Sequence, residues 1–399
     1  MMLRCEWKKI FSKKINRIML FTTFLLAIIF SCFAAGSVRY VDGEGTTHTG
    51  ITAARRLAAD HNRWKGTLTT ETLAKVIQSR KQLAKQYADE IPDSEYGKTI
   101  QSYGDITAFI ISMSTPDSDY NEAVLYQLKD PQIKNLYANY KTNLQNMVEE
   151  YGTTPEQKKL MAKQYAKISM PLQYQSKDSW DTMIMYAETY GIVLAVIIGF
   201  LASGIFAEEF QTRAEAIFFS TKYGRTKAVI TKIIAGILMT TLVYLIGMGI
   251  LSLVSFGIMG ISGFQTPYQL EQPYSIYVMT YGRYYLLTLL CGYIASLLAA
   301  SVTMLVAAKM HSANVAICIP FFLYCIMPFI GRAFSSFTAV FHFTPDLLNN
   351  ILDCAKSPIF FQLGHIVCPQ IPFIMLLYSI LALLFIPFVY RSYHRYGRR

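Results

Sequence analysis

Six apolar runs, uncharged except for Glu188 in the second and each close to or above the ~20 residues a helix needs to cross hydrocarbon, are separated by polar segments of very unequal length. They span Ile18 to Val38, Thr182 to Phe206, Ile233 to Val254, Tyr284 to Ala308, Ala313 to Ile330 and Ile371 to Tyr390. Between the first and second lies a polar stretch of domain size, residues 39–181. The pattern predicts an all-α polytopic membrane protein: six transmembrane helices with a helical extracytoplasmic domain between helices one and two. The uncharged stretch around the third run extends from Ile233 to Leu270, too long for one perpendicular helix, so Ser255 to Phe264 is expected to form an interfacial or re-entrant piece. Pro320 and Pro328 should bend the fifth span.

Inside 39–181 the period is helical. Leu68-Thr69 ahead of Leu73 places a staple around an N-cap, and Leu73, Val76, Ile77, Ala84 and Tyr87 mark one face. Asp130-Pro131 opens a second helix, with Ile133, Leu136, Tyr137, Tyr140, Leu144 and Met147 on one side. Thr154-Pro155-Glu156-Gln157 supplies an N-cap, an N1 proline and a capping-box glutamine for a third. These stripes read as core. Pro92 to Ser94 and Pro116 to Asp119 read as turns.

Composition agrees with a membrane chain: 53% of the 399 residues are hydrophobic and only 16% charged. The net charge of +11 invites a nucleic-acid reading until it is located. Residues 39–181 hold 18 basic and 18 acidic residues, leaving 19 basic against 8 acidic for the apolar remainder and its flanks. The excess sits at Arg4, Lys8, Lys9, Lys13, Lys14 and Arg17, then at Arg213, Lys222, Arg225, Lys227 and Lys232, and finally at Arg391, Arg395, Arg398 and Arg399. That is the positive-inside pattern, and it puts both termini in the cytoplasm. The resulting map is a cytoplasmic basic interfacial helix at 1–17, the first transmembrane helix at 18–38, the extracytoplasmic domain at 39–181, and a five-helix transmembrane domain at 182–399. A cleaved signal peptide is the competing reading of the N-terminus, because Ala34-Ala35-Gly36 offers small residues; the length of the apolar run favours a retained helix. Seven cysteines without a CxxC pair indicate neither a disulfide scaffold nor a zinc site, and Cys354 and Cys368 are read as free thiols, the alternative being that they share one outer loop and pair in an oxidising compartment. No metal is expected.

The most informative stretch is the cytoplasmic connection 207–232. Ala216 and Phe219, with Ile217 and Phe218, give it an apolar side; Glu208, Glu209, Arg213, Lys222 and Arg225 give it a polar one. Such a segment lies along a membrane surface. Its order of an acid, a short helix, two hydroxyls, a small residue, an arginine and a later lysine resembles permeases of the type-2 ABC exporter family. Glu209 falls on the family's acid, Ser220-Thr221 on its hydroxyl pair, Gly224-Arg225 on its small-residue-plus-arginine turn, and Lys232 on the lysine opening the next span. Two positions depart: the family's usual helix glycine is Arg213 here, and the proline often seen after the hydroxyl pair is Lys222. The opening Glu6-Trp7-Lys8-Lys9-Ile10 is similar to the basic interfacial helix with which such permeases begin.

The resemblance implies an ATPase-coupling role for Glu208, Glu209, Arg213, Ser220, Thr221, Gly224, Arg225 and Lys232. It implies an ABC ATP-binding subunit as partner, with ATP and Mg held there and no cofactor in this chain, which has no G-x-x-x-x-G-K-[ST] phosphate loop. It also implies a homodimer, or a heterodimer with a second permease, in the bacterial cytoplasmic membrane, and efflux of antimicrobial peptides or drugs. Glu188 is a candidate for the translocation path, its alternative being a headgroup-level position beside Trp180. Two other classes are weighed. One is a membrane sensor or adaptor whose extracytoplasmic domain binds a ligand. The other is an intramembrane protease, since Glu208 to Arg213 spells EExxxR and Phe361-x-x-x-His365 imitates a second motif of the membrane-embedded CAAX-type proteases. The predicted topology sets His365 and Glu208 on opposite sides of the bilayer, where one catalytic site cannot form.

Overall fold

The computed structural model describes residues 2–87, 90–116, 120–333 and 338–396. Helix α1 (Met2–Ser12) runs into α2 (Lys14–Ser37), the first membrane-length helix. The insert follows: the hairpin β1 (Arg39–Val41) and β2 (Thr47–Thr49), α3 (Ile51–His61), β3 (Gly66–Thr67), α4 (Thr70–Tyr87), α5 (Asp93–Lys98), α6 (Gly104–Ser114), α7 (Ala123–Gln127), α8 (Asp130–Lys134), α9 (Leu136–Tyr151), α10 (Pro155–Tyr165) and β4 (Gln173–Tyr174), which pairs with β3. The bundle resumes with α11 (Asp178–Gln211), a short α12 (Glu215–Ser220), α13 (Lys227–Met259), α14 (Tyr281–Met310), and α15 (Ala313–Phe321). A π turn, Phe322–Ile326, joins α15 to α16 (Met327–Ala333), followed by α17 (Thr338–Phe341) and α18 (Ile351–Lys356). The hairpin β5 (Phe360–Leu363) and β6 (Ile366–Pro369) leads into α19 (Gln370–His394). Among the described residues six helices are long and apolar enough to cross a membrane, as the sequence pattern predicts.

The insert helices form where the sequence places their caps. Thr69 Oγ1 accepts the Thr72 amide at 3.2 Å ahead of α4, and Thr154 accepts the Gln157 amide at the start of α10. Leu73, Val76 and Ile77 of α4 are buried as expected, whereas Ala84 and Tyr87 are only half-buried and Arg80 goes inside instead. The expected turn at Pro92 to Ser94 is the beginning of α5, because Pro92 fits the cap position and Asp93 and Ser94 already turn helically. Of the other expected turn, Asp117 to Asp119 lie outside the described residues, as do Arg398 and Arg399.

The largest departure concerns the third span. Rather than a re-entrant piece at 255–264, α13 continues unbroken to Met259, some 50 Å in all at 1.5 Å per residue. Its last turn meets the insert: Arg55 of α3 donates from Nε to the Ile258 carbonyl at 3.1 Å and from Nη2 to that of Gly257 at 3.4 Å. Carbonyls at a helix end lack intrahelical partners, and this arginine supplies them. Gly260, at φ 89°, then stops the helix, and Gly263, at φ 87°, packs so tightly that a Cβ there would sit 2.1 Å from the Ser176 carbonyl oxygen. In the fifth span Pro320 and Pro328 bracket the π turn.

Helices α11 and α14 are the most enclosed members of the bundle, and α2, α15 and α19 turn most of their apolar surface outward. All seven cysteines are free; Cys354 is buried and Cys368 half-buried.

Candidate functional site at the basic end of the bundle

Helix α11 ends one turn after Glu208 and Glu209. Thr212 Oγ1 returns to the Glu208 carbonyl at 2.8 Å, and Arg213 takes a left-handed conformation at φ 56°. A non-glycine side chain is disfavoured there, which accounts for a glycine being usual at this position in the resembled family. After α12, the hydroxyls of Ser220 and Thr221 donate to the carbonyls of Ile217 and Phe218, each at 2.8 Å. Gly224 then passes against α12: a Cβ on it would lie 2.0 Å from the Phe218 carbonyl oxygen. No larger residue fits this turn, and it delivers the chain to α13, which carries Lys232 back toward Glu209.

Those two residues are the centre of a buried charge network. Lys232 Nζ stands 2.7 Å from Glu209 Oε1 and 3.4 Å from Glu6 Oε2, and donates to the Ile205 carbonyl at 2.7 Å. The lysine is fully buried and Glu209 nearly so. Glu209 also receives Lys9 Nζ at 3.4 Å and the Tyr393 hydroxyl at 2.8 Å, while Glu208 pairs with Lys13 at 3.3 Å. Burial opposes the charge on Lys9, but Glu6, Glu209 and Glu208 outweigh it and raise its pKa above the ordinary lysine value. Four elements, α1, α11, α13 and α19, are thereby joined at one point.

An aromatic nest holds the turn from the other side. Phe219 packs on Phe210, Tyr393 and Tyr396, and His311, left-handed at the end of α14, lies 3.9 Å from the Phe210 ring centre. Arg225 spans this nest: its Nε donates to the Phe219 carbonyl at 3.2 Å, another guanidinium nitrogen donates to the Tyr396 carbonyl, and its own carbonyl accepts from His394 at 2.8 Å.

The connection therefore sorts its residues differently from the amphipathic reading. Phe219 is buried and Phe218 half-buried, but Ala216 is exposed and Ile217 is 72% exposed. Glu209 points inward to Lys232, and Arg225 toward Tyr396. The surface left outward includes Arg213, Ala216, Ile217, Ser220, Thr221, Lys222 and Tyr223. Sequence reasoning missed Glu6, Lys9 and Tyr393 as members of the network. Glu6 carried a signal, being the single acid among the first 40 residues; Tyr393 carried none that distinguishes it from 26 other tyrosines.

Glu188 is not part of this site. It is buried on α11 toward the insert end, where Oε1 accepts the Leu352 amide at 2.8 Å beneath the 345–356 segment. Trp180, its expected headgroup-level neighbour, is itself buried and packed among Phe256, Phe264 and Tyr285. Arg283 is exposed at the start of α14, and the side chain of Arg332 lies outside the described residues. His365 sits at the tip of the β5–β6 hairpin, where it meets Glu156 of the insert at 2.9 Å, at the other end of α19 from the Glu209 network. The two halves of the protease-like motif are thus apart, and the glutamates of EExxxR are occupied by lysines.

A second charged cluster joins the insert to α11. His61 stands with Nδ1 2.8 Å from Asp178 Oδ2 and Nε2 3.0 Å from the Gln101 carbonyl oxygen; Asp105 Oδ2 is 3.5 Å away. Both ring nitrogens face acceptors, so the imidazolium fits this site. Burial works against that charge, but the bond to Asp178 and the charges of Asp178 and Asp105 raise the pKa to about 9. Beside it Lys177 pairs with Glu271 at 3.1 Å and Asp181 at 3.4 Å. These donors and acceptors satisfy one another, and the cluster reads as a structural joint rather than as a metal centre.

A family model described as ABC-2 family transporter protein matches residues 17–354. The chain belongs to that family. No curated protein matches it. Family membership makes the chain a multi-pass membrane permease subunit of an ABC transporter, distinct from the ATPase. The match begins within α2, takes in the insert and the whole of the 207–232 connection, and ends within α18.

Proposed function

We propose that this permease is the membrane-spanning half of an ATP-driven exporter and that a separate ABC ATP-binding subunit docks on the outward surface of 207–232. The observation that carries the reading is the contrast across α12: Ile217 is exposed beside Arg213 and Thr221, while Glu209 and Lys232, immediately behind, are locked to each other. A partner pressing on α12 moves α11 and α13 together, since the tight turns at Arg213 and Gly224 leave little slack. ATP and Mg are held by the partner. Two copies of the chain, or one with a related permease, frame the pathway, with Glu188 as a candidate lining residue once α11 moves. In this reading the basic end faces the cytoplasm, the insert is extracytoplasmic, and the membrane is the bacterial cytoplasmic membrane. Antimicrobial peptides or drugs are the proposed cargo, from the resemblance to exporters that share the insert.

Purification of the chain from its host in mild detergent tests this. A stoichiometric ATP-binding subunit with vanadate-sensitive hydrolysis is expected. Recovery of the chain without such a subunit in any detergent that preserves its fold would sink the reading.

A further inference from the structure

Within the insert, α4, α5, α7 and the Ile100–Tyr103 turn surround a cavity of about 520 Å³, lined by Arg80, Ile91, Asp93, Tyr96, Glu122 and Tyr126 among others. That is the volume of a small-molecule site, and its wall carries a guanidinium, two carboxyl groups and two phenol rings. Arg80 is the unusual member. It is only 4% exposed; one terminal nitrogen, Nη2, donates to the Glu122 carboxylate and to the Tyr126 hydroxyl at 3.2 Å, and Nε has no hydrogen-bond partner among the described residues. The Nε and Nη2 hydrogens of a guanidinium are parallel and can donate to both oxygens of one carboxylate. Glu122 occupies half of that fork. The two partners also differ in freedom: the Arg80 side chain is fixed inside, whereas that of Glu122 is 44% exposed and can leave toward solvent.

We infer that the cavity binds a small zwitterionic carboxylate, a free amino acid or a short peptide, whose carboxylate takes the Nε/Nη2 edge of Arg80. Glu122 is the internal competitor that this carboxylate displaces. Asp93, on the cavity wall at the first turn of α5, takes the ligand's ammonium, and the rings of Tyr96 and Tyr126 cover its apolar part. A buried guanidinium N–H without an acceptor is unfavourable, so ligand binding completes a bond set that the described residues leave open. The inference rests on the insert alone and stands apart from the exporter reading.

The test is calorimetric titration of the purified full-length chain in nanodiscs with glycine, leucine, glutamate, dialanine and trialanine, and with the C-terminal amides of the same compounds. Saturable binding is expected for members of the acid series, weaker by at least about tenfold for the amides and for Arg80→Lys, which keeps the charge but loses the fork. Preference for the single residues identifies a free amino acid as the source, and preference for the longer compounds a peptide. Glu122→Gln removes the competitor and should tighten binding, an effect no purely structural ion pair would produce. Absence of saturable binding by every acid, equal binding of acids and amides, or weaker binding by a folded Glu122→Gln variant would each overturn the inference.

Discussion

Lys232 Nζ and Glu209 Oε1 lie 2.7 Å apart in the interior of the basic end, and the sequence that separates them is the whole of the exposed connection between α11 and α13. The pair closes the base of a loop whose tip is α12. A force applied to α12 reaches both long helices through one buried contact. Truncating either partner leaves the other charged and buried, which in proteins costs about 3–5 kcal/mol, whereas replacing both by apolar residues is far milder. Glu209→Gln alone should therefore lower the unfolding midpoint markedly, and Glu209→Gln with Lys232→Met should recover much of the loss. Thermal unfolding of the purified variants decides it; a double variant less stable than either single one would contradict the account.

Arg225 and Gly224 shape the turn rather than its stability as a whole. Arg225→Ala removes the bonds to the carbonyls of Phe219 and Tyr396, and Gly224→Ala drives a methyl into the Phe218 carbonyl. Both variants should insert normally and lose most partner-dependent ATP hydrolysis. Unchanged hydrolysis in both would show that the turn does not transmit.

At Arg213 the backbone is left-handed, which costs an L-residue about 1–2 kcal/mol relative to a permissive one. Arg213→Gly should stabilise the chain by up to about 1 kcal/mol, and Arg213→Val should destabilise it. The order of the three unfolding midpoints checks this, and a glycine variant less stable than the valine variant would refute it.

The joint between insert and α11 should be weakened by alkali. His61 has a folded pKa raised to about 9 from an ordinary value near 6.5, so its contribution is complete below pH ~6.5 and is lost as pH rises through about 9. Stability should fall across that window in the wild type and much less in His61→Gln. A wild-type profile parallel to that of the variant would exclude the charged joint between His61, Asp105 and Asp178.

These cases show which parts of the protein were legible in the sequence. Length and hydropathy placed the six spans because backbone bonding in lipid leaves few alternatives to a helix. Spacing placed Thr69 and Thr154 as caps for the same local reason. The family's motif pointed to Glu209 and Lys232 but could not show that they meet, since their pairing depends on how α11 and α13 pack. The run from Ile233 to Leu270 misled, because hydropathy does not register that Arg55, some 200 residues away, bonds the carbonyls at the end of α13. Nor could periodicity reveal that Ile217 turns outward: a helix of six residues is too short for its apolar face to be decided by pattern alone.

The most direct test of the central claim is site-specific cross-linking from Ile217 in native membranes. A photoreactive residue at position 217 should capture an ATP-binding protein, in a yield that changes when nucleotide and vanadate are added. A control at Leu245, on the outward face of α13, should not capture it. Cross-links from both positions at equal yield, or none from position 217 to any nucleotide-binding protein, would contradict the assignment of α12 as the docking surface.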